Sequence, residues 1–133
     1  MPKTQFDAFK GKSVLVTGHT GFKGSWLTAW LVKLGAQVVG IALDPPTQPS
    51  HFDSLGISVG ISDFRVDIRH QAKIENIIIE TKPNYIFHLA AQSLVHKSYQ
   101  DPVTTWETNV MGTINILESL RKLNHSCAVV IIT

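Results

Sequence analysis

Short β-branched runs alternate along this chain with longer stretches whose apolar residues recur at helical spacing. The first run is Ser13-Val14-Leu15-Val16-Thr17 and the second Gln37-Val38-Val39-Gly40-Ile41-Ala42-Leu43. A weaker third lies within 61–66, a fourth is Tyr85-Ile86-Phe87-His88-Leu89, and a fifth covers 128–133. Runs with so few polar residues on either face suit a parallel sheet covered on both sides. Between the first two, Trp26, Leu27, Trp30, Leu31 and Leu34 repeat with the period of a helix that Gly35 caps, and both tryptophans read as core. Ile74, Ile77, Ile78 and Ile79 mark a shorter helix that stops before Lys82-Pro83. Asp101-Pro102 reads as an N-cap followed by a first-turn proline. Val103, Trp106, Val110, Ile114, Leu117 and Leu120 then form an apolar stripe, with Glu118 and Lys122 spaced to pair at i,i+4. The segment 44–60, with Pro45, Pro46 and Pro49, predicts an irregular or partly helical connection in place of a second helix. The alternation as a whole predicts an α/β fold, a doubly wound parallel sheet of Rossmann type with five strands and right-handed crossovers.

Composition narrows the classes without changing that picture. The 133 residues are 44% hydrophobic and carry a formal charge of +2 with no basic block, which fits one globular domain or a piece of a larger one and argues against nucleic acid. An apolar run such as Ala128 to Ile132 is far shorter than the roughly 20 residues of a membrane helix. The N-terminus lacks the apolar core of a secretory signal, and Cys127 is the single cysteine, so a reducing, cytoplasmic setting is expected. No metal ligands are assigned. Cys127 reads as a buried or half-buried thiol with no nucleophile pattern around it.

The chemistry begins at Gly18-His19-Thr20-Gly21-Phe22-Lys23-Gly24, between the first strand and the first helix. In that context the glycines are informative. Gly18 permits the tight turn, Gly21 lets a pyrophosphate approach the backbone, and Gly24 lets the helix press on the sheet. The helix N-terminus then offers unpaired N–H groups to phosphate. Asp44 stands twenty residues beyond Gly24, at the end of the second strand. A carboxylate there accepts hydrogen bonds from the adenosine ribose and repels a 2′-phosphate, favouring NAD over NADP; the alternative is a turn residue opening Asp-Pro-Pro. Asp67, after the third strand, reads either as a neighbour of adenine or as the cap of the following helix. Lys23 reads equally as a phosphate contact or a solvated lysine, and His88 as a hydrogen-bonded histidine of a buried strand rather than a catalyst.

Three motifs carry a family resemblance: Gly18 to Gly24 with its strand, His88-Leu89-Ala90-Ala91-Gln92, and Thr108-Asn109-Val110-Met111-Gly112-Thr113. With them the chain resembles the extended short-chain dehydrogenase/reductases, the nucleotide-sugar epimerases and dehydratases. The stretches Val16 to Trp26, Ala42 to Thr47 and Ala90 to Val95 are most similar to the CDP-glucose 4,6-dehydratase branch. The resemblance implies an NAD-dependent lyase that turns CDP-glucose into CDP-4-keto-6-deoxyglucose, a precursor of surface polysaccharides. Hydride leaves sugar C4, water is lost across C5 and C6, and hydride returns to C6, the temporary ketone acidifying the C5 proton. It further implies that Gly18, Thr20, Gly21, Phe22, Lys23 and Gly24 line the pyrophosphate, Asp44 binds the ribose, and Asp67 and Ile68 meet the adenine. Leu89, Ala90, Ala91 and Gln92 would run under the nicotinamide ribose, Thr108 would lie near the cofactor's far half, and the intact protein would be a homodimer.

Two parts of the family pattern are not found. Members use a Tyr-x-x-x-Lys pair, in which lysine lowers the tyrosine pKa; here Tyr85 is followed at four positions by Leu89 and Tyr99 by Val103. The Ser/Thr-Asp-Lys segment expected after the fifth strand does not occur either. The expectation is therefore that residues 1–133 are the incomplete NAD-binding domain, with the substrate domain absent. Such a chain should bind NAD weakly and not dehydrate CDP-glucose alone, and its fifth strand should be an exposed sheet edge. His70 replaces an aspartate of the family pattern, removing a helix cap worth on the order of 1 kcal/mol, and His96 replaces an arginine near the sugar end. Other readings are an epimerase or dehydratase for another nucleotide sugar, and a non-catalytic NAD-binding module.

Overall fold

The structure is a computed structural model, described here for residues 4–133. Five strands form one parallel sheet: β1 (Ser13–Thr17), β2 (Gln37–Ala42), β3 (Ser62–Arg65), β4 (Tyr85–His88) and β5 (Ala128–Ile131). They lie in the order β3-β2-β1-β4-β5, with Val16 opposite both Gly40 and Phe87. The order reverses between β1 and β4, and in open α/β sheets that switch opens a ligand crevice at the carboxyl ends of the strands. The doubly wound architecture expected from the alternation is the one observed.

The helices are α1 (Phe22–Lys33), α2 (His51–Leu55), α3 (Gln71–Thr81), α4 (Val95–Gln100), α5 (Pro102–Trp106) and α6 (Gly112–Leu120). Residues 44–60 hold the short α2 and a 3-10 turn, Ile57–Gly60, matching the partly helical connection expected there. Helix α4 lies outside the sequence expectations; its residues, Val-His-Lys-Ser-Tyr-Gln, have no apolar period to announce it. Helix α3 extends three residues earlier than its isoleucines and ends in a left-handed Lys82 ahead of Pro83. Asp101 caps α5 through its side chain on the Thr104 N–H, with Pro102 in the first turn, as expected. A π-helical segment, Glu107–Met111, joins α5 to α6.

The core has two layers, one on each face of the sheet. Leu15, Ile41 and Ile86 point into a cluster with Ile68, Ile74, Ile78 and Ile116 from the α3 and α6 side. Val14, Val16 and Val38 meet Leu31 on the α1 side. The bulkiest residues of both expected apolar stripes face outward, while Leu27, Leu31 and Leu120 of the same stripes pack inward. Trp26 and Trp30 are 55% and 52% exposed, and α1 buries Gly24, Ser25, Thr28 and Leu31. From α5 through the π-helical segment to α6, Val103, Trp106, Val110, Ile114 and Leu117 are exposed, whereas Gly112, Asn115, Ile116 and Ser119 are packed. The physical reason is close approach: a Cβ at Gly112 would lie 2.5 Å from the Ile68 side chain, so small residues occupy the contact and large ones are left outside. The expected Glu118–Lys122 pair is also replaced. Lys122 reaches Glu75 of α3 at 2.7 Å, and Glu118 pairs with Arg121.

Candidate functional site

The crevice floor is the turn after β1. Gly18 adopts φ +77°, and a Cβ there would lie 2.9 Å from the Ala90 backbone nitrogen, so only glycine lets the β1 and β4 loops meet. At Gly24 a Cβ would fall 2.0 Å from the Gly18 carbonyl oxygen, which brings the start of α1 hard against the turn. Gly21 is the N-cap of α1 and supplies no side-chain cap. The first N–H groups of such a helix have no intrahelical partner and suit an anion. This is a backbone cradle with the shape and polarity of a diphosphate seat, and the residues fit a dinucleotide.

The side chains of the turn divide between lining and bracing. Phe22 and Lys23 are exposed in the first turn of α1, Phe22 against His51 at a centroid distance of 5.0 Å. The Thr20 hydroxyl is committed to the Leu43 carbonyl oxygen at 2.9 Å, so the buried Thr20 side chain ties the turn to the end of β2. There Asp44 projects outward with its side chain 88% exposed. Its Oδ1 accepts a hydrogen bond from Arg65 Nη1 at 2.8 Å.

The loop after β4 is held by Thr17, His88, Asn109 and Thr113, residues of the motifs above, although the motifs assign no bracing role to Thr17, Asn109 or Thr113. Thr17 Oγ1 accepts the Leu89 and Ala90 N–H groups, each at 3.1 Å, and contacts His88 Nδ1 at 2.6 Å. His88 Nε2 lies 3.0 Å from Thr113 Oγ1, whose proton goes to the Asn109 carbonyl. One proton assignment satisfies the whole series: Thr17 donates to Nδ1, and Nε2–H donates to Thr113. His88 is thus buried and neutral, and burial pushes its pKa below the ordinary 6.5. The expectation of a hydrogen-bonded histidine within a buried strand agrees with this geometry. Asn109, in the π-helical segment, grips the Gln92 backbone from both sides, accepting from its N–H at 2.8 Å and donating to its carbonyl at 3.0 Å. The Gln92 side chain is itself occupied by Leu94 and Thr105. Ala91 is exposed between these anchors, and Thr108 is half-buried beside Asn109.

Asp67 and Ile68 lie in the connection between β3 and α3. The Ile68 side chain is 4% exposed and belongs to the core, and its carbonyl accepts from Asn115 at 2.9 Å. Asp67 is held by the Arg69 guanidinium, which also reaches Glu107 at 3.1 Å; the Arg69 side chain and its backbone N–H keep the Asp67 carboxyl below the usual range. Asp67 does not cap α3: that place is taken by His70, which makes no side-chain cap. Among the described residues no cluster of His, Cys, Asp or Glu can hold a metal ion, and no helix is long and apolar enough to cross a membrane. Cys127 is half-buried, and burial raises its thiol pKa.

Residues 15–133 match the family model described as GDP-mannose 4,6 dehydratase. The chain belongs to that family. It is 50% identical over 125 residues to the CDP-glucose 4,6-dehydratase of Salmonella typhimurium, a match covering 94% of this chain and 35% of the relative. To the CDP-paratose 2-epimerase of Salmonella typhi it is 31% identical, over 88% of this chain and 35% of the relative. Among solved structures, the epimerase Mth375 of Methanothermobacter thermautotrophicus superposes with a TM-score of 0.80 at 30% identity, over 95% of this chain and 36% of that one. The UDP-glucose 4-epimerase of Thermus thermophilus, solved in complex with NAD, gives 0.71 at 34% identity, over 83% and 34%. The chain spans about a third of the length of these relatives. These are extended short-chain dehydrogenase/reductases, and this chain shares their five-stranded parallel core.

Proposed function

We propose that this chain is the NAD-binding part of a nucleotide-sugar 4,6-dehydratase acting on CDP-glucose. The observation that carries the cofactor reading is the cradle at Gly18–Gly24, where a Cβ at Gly24 would strike the Gly18 carbonyl oxygen. The dinucleotide would lie across the switch between β1 and β4, its diphosphate on Gly18, Thr20, Gly21, Phe22, Lys23 and Gly24. Asp44 would take the adenosine ribose, and the Asp67 and Ile68 backbone the adenine edge. Leu89, Ala90, Ala91 and Gln92, with Thr108, would support the nicotinamide half. NAD supplies reversible hydride removal at the sugar; this chain's part is to bind and orient it. No residue here takes the role of the Tyr-x-x-x-Lys pair, so no proton transfer is assigned to this chain. The choice of CDP-glucose is supported by the 50% identity to the Salmonella typhimurium dehydratase, against 31% to the Salmonella typhi epimerase. A homodimer built on the exposed α5–α6 ridge, working in the cytoplasm, completes the reading.

Titration calorimetry with NAD+ and NADP+ tests it. NAD+ should bind, Gly24→Ala should abolish binding, and Asp44→Ala should weaken NAD+ and narrow the discrimination against NADP+. A folded protein that ignores both dinucleotides overturns the proposal. Substrate choice is tested separately, by comparing CDP-glucose with UDP-, GDP- and dTDP-sugars in a 4-keto product assay on the intact protein.

A further inference from the structure

Behind Asp44 lies a side-chain relay that the ribose reading leaves unused. His19, in the glycine turn, is fully buried over Gly40, where a Cβ would sit 2.5 Å from its ring. Its Nε2 meets Asp63 Oδ1 at 2.7 Å, while its Nδ1 has no partner among the described residues. Asp63 in turn fixes the Arg65 guanidinium, with Nε on Oδ1 and Nη2 on Oδ2, both at 2.9 Å. The same guanidinium lies over the Phe52 ring, 5.3 Å from its centroid, and Phe52 packs edge-to-face with His19. The sheet register builds this: Asp63 lies opposite Gly40 and Arg65 opposite Ala42, two residues before Asp44. Arg65 is therefore immobilised through two of its nitrogens, and the third, Nη1, is aimed at Asp44 Oδ1.

We propose that Arg65 is a specificity-determining residue for the cofactor, in two opposed ways. While Asp44 is present, Nη1 holds its carboxylate in one orientation for the ribose hydroxyls, and the carboxylate keeps a 2′-phosphate away. When Asp44 is removed, the same nitrogen, still fixed by Asp63 and Phe52, faces the ribose and becomes the cation that receives a 2′-phosphate. The site thus contains a latent NADP pocket occupied by its own carboxylate. A guanidinium suits this role because its planar fork can grip one anion with two nitrogens and present the third to another. This inference rests on Asp44 gripping the adenosine ribose.

The test is a cycle of variants in the intact protein, with NAD+ and NADP+ dissociation constants measured side by side. Asp44→Ser should shift the NADP+/NAD+ affinity ratio toward NADP+ by about tenfold or more, the size of one charge-assisted contact. In Asp44→Ser/Arg65→Met the shift should collapse to under about threefold, and in Asp44→Ser/Arg65→Lys most of it should survive. Should Arg65→Met fail to fold by circular dichroism, Arg65→Gln keeps a hydrogen bond to Asp63 without the charge and replaces it. An equal shift with and without the Arg65 charge overturns the role of Arg65 while leaving Asp44 on the ribose. An unchanged ratio in Asp44→Ser alone overturns the ribose reading, and this inference with it.

Discussion

Thr17 is an ordinary strand residue by sequence, yet its one hydroxyl oxygen receives the Leu89 and Ala90 amides and meets His88. Thr17→Val keeps the shape and leaves the Ala90 N–H and His88 Nδ1 without partners, so it should cost about 1–3 kcal/mol of stability in urea unfolding. It should also weaken NAD+, because the β4 loop loses its anchor. A thermally and chemically unaltered variant would refute that role. The two buried histidines add a pH dependence of definite sign. Burial lowers the pKa of His19, against the pull of Asp63, and that of His88 below 6.5. The unfolded chain therefore binds protons first as pH falls, and stability rises with pH through that window. Unfolding midpoints should be flat above about pH 7 and decline as pH drops from about 6.5 toward the lower folded values. His88→Gln should reduce the slope, and an unchanged slope would remove His88 as its source.

At the scale of elements, α3 offers a clean test, because its N-cap is His70, which makes no cap bond. His70→Asp places an acceptor over the open first-turn N–H groups and a negative charge at the positive end of the helix. The expected gain is on the order of 1 kcal/mol, read as a higher urea midpoint. Elements of this kind were legible in the sequence wherever a local rule sufficed. The strands follow from their β-branched runs, the α5 start from Asp101-Pro102, and the missing cap from one residue type. The glycine turn was legible for the same reason, since its spacing between a strand and a helix is local information. What stayed hidden depends on contacts across the chain. Asn109 reaches Gln92, 17 positions away, from a π-helical segment that the apolar period runs through without a break. Arg65 meets Asp44 only because β2 and β3 pair in one register. The α4 helix buries no residue and so has no apolar face to announce it.

For the whole molecule the same division decides which surface faces water. Periodicity announced α1 and the α5–α6 stretch but did not separate the packed face from the exposed one, since the packed faces combine Leu31 and Ile116 with Gly, Ser, Thr and Asn that bring backbones close. The large residues are then displaced outward. Val103, Trp106, Val110, Ile114 and Leu117 follow one another at helical spacing along an exposed ridge, with Trp106 at 68% exposure. An apolar ridge of this extent on a folded protein marks an interaction surface, and a homodimer is the partner proposed for it. Trp106→Glu combined with Ile114→Glu should leave stability within about 1 kcal/mol, because both side chains are exposed and neither belongs to the core clusters. Two carboxylates per copy, brought face to face across such a contact, would be desolvated without partners. Sedimentation of the intact protein should therefore show a dimer for the parent and a monomer for the double variant, with NAD+ affinity unchanged. A variant that remains dimeric would move the contact off this ridge and leave the exposed tryptophan with no role in assembly.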